Sequence, residues 1–129
     1  MPRRMDDVRF SAAAVEAAVR AYYDAVDTGT VQDVVACFAA DAVYRRPGYE
    51  PLHGSTALTR FYSDERVIEC GRHTLATVVV AGNEAAVHGR FAGRLRDASE
   101  VEIGFADFFV VDPDGRFAQR DTFFSAPAV

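Results

Sequence analysis

Between Ser11 and Thr28 the apolar positions Val15, Val19, Tyr22 and Val26 recur at intervals of four, three and four, which is one face of a helix. Ser11 can cap its start and Gly29 can end it. Tyr22 therefore points inward, and Tyr23 lies about 100° round the helix from it. A second stripe, Val31, Val34, Val35 and Phe38, predicts a helix over 31–40. A short strand over 42–46 follows and stops at Pro47-Gly48. The stretch 47–54 holds two prolines and two glycines and reads as loop. Ser55 then opens a third helix, with Leu58, Phe61 and Tyr62 inward.

After His73 the period changes from helical to alternating. Strands are predicted over 75–81, 85–95, 101–111 and 117–125, with turns at Gly82-Asn83, at 96–99 and at Asp112-Pro113-Asp114-Gly115. Three helices followed by an antiparallel meander make an α+β chain, its helices packed on one face of a curved antiparallel sheet. Residues 1–10 read as a flexible arm and 11–129 as a single domain. The last two strands are apolar on both faces: Phe105 and Phe109 on one, Phe108 and Val110 on the other. The second face is expected to be covered by another copy, giving a homodimer through the sheet.

A few polar residues break these faces. Of the alternate positions 101 to 111, five are Val, Ile, Phe, Phe and Val; the sixth is Asp107. Such an aspartate is paired, protonated, or the sign of a cavity. A tight turn at 112–115 sets Asp107 opposite Arg120, with Thr122 and Phe124 as same-face neighbours. The pair either pins the hairpin or forms a functional carboxylate held by an arginine. On the short strand, Tyr44 and Arg46 share one face and Val43 and Arg45 the other. That pattern fits a solvated edge or a pocket-facing Arg46. His73 is either a proton carrier, because histidine is the residue type that titrates near neutral pH, or a satisfied core or edge histidine, its facing not set by the pattern.

Composition narrows the chemistry. The net charge of −5 and scattered arginines argue against nucleic acid, and Arg90, Arg94 and Arg96 read as a solvated edge. No apolar run approaches a membrane span and no leader follows Met1, so a cytoplasmic protein without membrane contact is expected. All 14 basic residues are Arg, which removes lysine Schiff bases and phosphate-loop lysines. His53, His73, His88, Cys37 and Cys70 lack metal-ligand spacing, so neither metal nor cofactor is expected. Cys37, in an apolar helical run, reads as a buried thiol.

Several segments in order carry a resemblance: Tyr22-Tyr23-Asp24-Ala25-Val26-Asp27-Thr28-Gly29, Phe38-Ala39-Ala40-Asp41-Ala42-Val43, Pro47, Leu52-His53-Gly54, Phe61-Tyr62, Phe105-Ala106-Asp107-Phe108-Phe109 and Gly115-Arg116-Phe117. Over residues 15–126 the chain resembles the ketosteroid-isomerase and SnoaL-like polyketide-cyclase branch of the nuclear-transport-factor-2-like superfamily. The resemblance implies a cone-shaped fold with an apolar pocket. It matches Tyr22 and Asp107 to the oxyanion-hole tyrosine and protonated aspartic acid of ketosteroid isomerases. The catalytic base of those enzymes falls on Arg46, which cannot abstract a proton near neutral pH. Beside Arg120, Asp107 is expected to be ionised. The Asp-Arg-Asp group of limonene-epoxide hydrolases falls near Gly89, Phe91 and Thr122 and is absent.

Three functions follow as expectations. The first is a proton-transfer enzyme (cyclase, isomerase or dehydratase) on a carbonyl-containing metabolite. Asp107, Tyr22, Arg46, Arg120 and His73 would carry its chemistry, with Asp107 as base or as the orienter of Arg120. Tyr44, Phe61, Phe91, Phe105, Phe109, Thr122 and Phe124 would contact its ligand. The second is a non-catalytic module for a small apolar or carboxylate-bearing ligand. The third is an assembly subunit using the outer sheet face.

Overall fold

The structure is a computed structural model and describes residues 10–127. Helix α1 spans Ala12–Thr28, and Ser11 caps it by accepting from the Ala14 amide at 3.3 Å. Helix α2 spans Val31–Val35, closed by a capping box between Thr30 and Asp33. Strand β1 (Phe38–Arg45), the two-residue β2 (Leu52–His53) and helix α3 (Gly54–Arg60) follow. One π turn, Phe61–Glu65, continues α3. The remainder is sheet: β3 (Ile68–Ala81), β4 (Glu84–Leu95), β5 (Glu100–Val111) and β6 (Phe117–Phe124).

The six strands lie in the order β2-β1-β6-β5-β4-β3, and every neighbouring pair is antiparallel except β1 with β6. The helices cover one face of this mixed sheet. Val15, Val19 and Tyr22 of α1, Leu58 of α3 and the paired rings of the π turn meet Phe91, Phe105, Phe109 and Phe117 from the strands. Each such aromatic contributes roughly 1.5–3 kcal/mol by leaving water. No helix among the described residues is long and apolar enough to cross a membrane.

The structure corrects the expected elements in five places. The helix predicted to reach Ala40 ends at Val35, and Phe38 begins a strand instead. The cause is tertiary: β1 gains parallel pairing with β6, Phe38 against Phe117 and Tyr44 against Arg120. Cys37 is consequently half-buried at a junction, its thiol donating to the Asp33 carbonyl at 3.4 Å. The expected loop at 47–54 contains β2, whose Leu52 pairs with Tyr44. The residue before α3 is His53, with no side-chain capping bond, so Ser55 is not the cap. Finally, β3 begins at Ile68, seven residues earlier than predicted.

The expected hairpin register also shifts. Asp107 stands across from Thr122 and Phe109 across from Arg120, after a bulge between Val110 and Val111. The slip is two residues, so each side chain keeps its face. Of the expected arm, residues 1–9 lie outside the described residues, while Phe10 packs against the core. On the outer face Val79, Phe108 and Phe123 are exposed, and the last two rings meet edge to face at 5.9 Å. Arg90 and Arg94 form exposed ion pairs with Glu102 and Glu69, as a solvated edge does.

Candidate functional site

Asp107 is fully buried, and its two oxygens are both engaged. Oδ2 accepts from the Tyr23 hydroxyl and, at 2.8 Å, from Nη2 of Arg120; Oδ1 accepts from the Thr122 hydroxyl. Strand alternation brings Asp107, Arg120 and Thr122 to one face. The flank of α1 that rests on β3 supplies Tyr23.

Arg120 extends the web in the other direction. Its Nη1 donates to Tyr22 at 2.5 Å and to Tyr62 at 3.2 Å, and these two hydroxyls share a 2.6 Å hydrogen bond. Its guanidinium stands 4.5 Å from the ring centres of both Tyr22 and Tyr44. Burial opposes its charge, but Asp107 and the neighbouring tyrosines outweigh that and hold its pKa above the usual range. Because Tyr22 and Tyr62 each accept from Arg120 and share one bond, one of their two protons has no acceptor within the web. Both tyrosines border the cavity.

That cavity measures about 20 Å³, room for about one water. Tyr22, Arg46, Arg120 and His73 line it, together with Phe91, Phe105, Thr122 and Phe124. Asp107 does not; it is fully buried and bonded to Arg120 and Thr122, which do. Tyr44, Phe61 and Phe109 are likewise set back, in the core rather than on the wall. Tyr44 instead relays hydrogen bonds, receiving Arg46 Nη1 at 3.2 Å and meeting Thr122 at 3.1 Å.

Arg46 is 9% exposed and stacked among aromatics, its guanidinium 5.0 Å from the Phe61 centroid and 5.2 Å from that of Phe124. It faces inward with Tyr44, while Arg45 is exposed and pairs with Asp121 at 3.5 Å.

His73 faces the interior of β3. Its backbone amide donates to Asp27 Oδ2 at 2.8 Å, and its Nδ1 lies 2.6 Å from Asp27 Oδ1. The ring is wedged against Phe91 at 4.8 Å, Tyr23 at 5.1 Å and Phe105 at 5.2 Å. A carboxylate on Nδ1 fixes the ring and leaves Nε2 as the atom free to take or give a proton. His53 and His88 are exposed and lie elsewhere.

Four site residues were not among the sequence candidates: Tyr23, Asp27, Arg66 and Tyr62, the last expected only to point inward. Tyr23 and Asp27 are four apart, hence on one helical flank, and that spacing was the available signal. The wide π turn lets consecutive Phe61 and Tyr62 both point inward and delivers Arg66 to the cavity.

The fold is shared with solved structures at low identity. SalBIII, an epoxide hydrolase/cyclase-like enzyme of pyran ring formation in the polyether salinomycin, is 18% identical with a TM-score of 0.78, covering 88% of this chain and 92% of its own. A protein of Catenulispora acidiphila with a ketosteroid isomerase-like fold, solved in complex with trimethylamine, is 16% identical with a TM-score of 0.75, covering 87% and 88%. An M. tuberculosis epoxide hydrolase of the limonene-epoxide-hydrolase-like type is 18% identical with a TM-score of 0.75, covering 88% and 84%. No curated protein matches the chain. The model of the SnoaL-like domain matches residues 19–120, from the middle of α1 to Arg120 on β6, and the chain therefore belongs to the SnoaL-like domain family.

Proposed function

We propose that the protein is a small-molecule enzyme that moves a proton on a carbonyl-containing metabolite, as a cyclase, isomerase or dehydratase. The observation that carries this reading is the 2.6 Å contact of Asp27 with His73 Nδ1, made by a ring on the wall of the cavity that Arg120 also lines. His73 Nε2 is the proton carrier and Asp27 its orienter. Arg120 and the unassigned hydroxyl proton of the Tyr22–Tyr62 pair stabilise negative charge developing on the carbonyl oxygen. Asp107 positions Arg120 rather than acting as base, since three donors occupy its oxygens. Arg46 stands where ketosteroid isomerases carry their base, so the isomerase mechanism does not transfer. The family, and the cyclase-like enzyme among its structural neighbours, support chemistry of this class.

A metabolite is larger than the closed cavity, so binding displaces lining residues that reach solvent, Val26, Arg66 and Phe124. The test needs no known substrate. A panel of ketones and oxo acids is incubated with the protein in heavy water, and exchange at the carbon next to the carbonyl is followed by NMR. Exchange on at least one compound is expected, slowed about 10²–10⁴-fold by His73→Gln. An unchanged rate in that variant removes His73 from the chemistry, and no exchange on any compound removes the proton-transfer reading.

The second reading, a module that holds a ligand without reacting it, draws on the arginine at the base position. Saturable binding without exchange supports it. In either case a homodimer through the outer sheet face remains part of the proposal, supported by the exposed Val79, Phe108 and Phe123.

A further inference from the structure

Arg46 is a buried cation without a counter-ion. Among the described residues no carboxylate lies within 4.0 Å of it. Among the described residues only Nη1 finds a partner, the Tyr44 hydroxyl, and the buried Nε and Nη2 find none. Those two nitrogens form one edge of the guanidinium, with parallel N–H bonds that match the two oxygens of a carboxylate. Two more buried donors are unpartnered on the same cavity, Nε of Arg120 and Nε of Arg66. The interior thus holds more positive than negative charge in a chain whose net charge is −5. The four rings around Arg46 soften this, since aromatic faces attract a cation. They supply no acceptor for its N–H groups.

We infer that the cavity is a carboxylate-anchoring site and that the ligand is an oxo acid or a similar carbonyl-bearing carboxylate. Its carboxylate takes the Nε–Nη2 edge of Arg46, with Arg66 Nε as an additional donor. Its carbonyl oxygen takes Arg120 Nε and the spare proton of the Tyr22–Tyr62 pair. Anchoring at Arg46 orients the carbon chain along the wall that His73 completes. This deepens the reading of the cavity as a small-molecule site, and its test is separate from that of proton transfer.

Stable 2-oxo and 4-oxo carboxylates, each with its methyl ester, and inorganic phosphate are titrated at constant ionic strength. Calorimetry and thermal melting report binding. At least one acid is expected to bind about tenfold or more tightly than its ester, the factor set by losing a charge-assisted hydrogen bond. Arg46→Lys keeps the charge but not the fork and is expected to weaken the acid about tenfold. Arg46→Met is expected to abolish the acid-over-ester preference while melting no lower than the parent protein, because it removes an unpaired buried charge. Esters binding as well as acids, binding by phosphate alone, no saturable binding at millimolar acid, or an unchanged preference in Arg46→Met each overturn the inference. Acid binding without carbon-bound proton exchange leaves it standing and sinks the enzymatic reading; exchange without preference for acids does the reverse.

Discussion

Asp107 and Arg120 form a 2.8 Å ion pair in which both side chains are buried, Asp107 being 0% and Arg120 4% exposed. Neither could remain alone. An isolated charge at that depth costs several kcal/mol, and the pair survives because Tyr23, Thr122, Tyr22 and Tyr62 satisfy its remaining hydrogen bonds apart from that of Arg120 Nε.

Asp107→Ala is therefore expected to destabilise the fold by about 3–5 kcal/mol, since it leaves the Arg120 cation uncompensated. Adding Arg120→Met to the same chain should recover most of that loss. Urea denaturation at neutral pH measures both; a double variant no more stable than the single one contradicts the explanation.

Alkali should reveal the buried tyrosines. Burial pushes Tyr62 up to about 12 against the attraction of Arg120, and burial also raises Tyr22 and Tyr23 above their ordinary range. Raised folded-state values mean that the unfolded chain releases its protons first, above pH 10. Stability contributed by these groups is complete below that pH and falls as pH rises; Tyr62 loses its share by about pH 12. Each unionised tyrosine steepens the fall by about 1.4 kcal/mol per pH unit. At pH 11, absorbance at 295 nm should show Tyr22, Tyr23 and Tyr62 still protonated in folded protein. Full ionisation before unfolding would contradict their burial.

The outer face makes a separate prediction. Phe108 and Phe123 expose about half their surface and contact each other at 5.9 Å, an apolar patch of the kind that marks association. Sedimentation at micromolar concentration is expected to show a dimer, and Phe108→Arg a folded monomer. A parent protein that sediments as a monomer removes the assignment.

Gly93 lies against Phe91, whose ring lines the cavity. A Cβ there would lie 2.3 Å from the Cys70 carbonyl and 2.6 Å from the Phe91 ring, so Gly93→Ala must shift backbone. A loss of about 1–3 kcal/mol is expected, with weaker ligand binding because Phe91 moves. Unchanged melting would show that β3 and β4 can separate locally at little cost.

Much of this molecule was legible in its residue pattern. Period alone gives the inward faces of α1 and β5, and with them the burial of Tyr22 and Asp107. Alternation then places Arg120 and Thr122 beside Asp107, and Arg46 beside Tyr44. It does so even though the hairpin register differs by two, because an even slip preserves the face. Periodicity names a face but not a partner. The parallel union of β1 with β6 turned an apolar helical stripe at Phe38 into strand, which no local propensity announces. Where α1 crosses β3 decided that a second flank, Tyr23 and Asp27, is also interior. The π turn decided that Tyr62 and Arg66 reach the same cavity. The two free nitrogens of Arg46 are the clearest case. Its residue type and its place on the face of Tyr44 are written in the chain, but whether that face turns inward and whether a carboxylate meets it depend on side chains brought together only by folding.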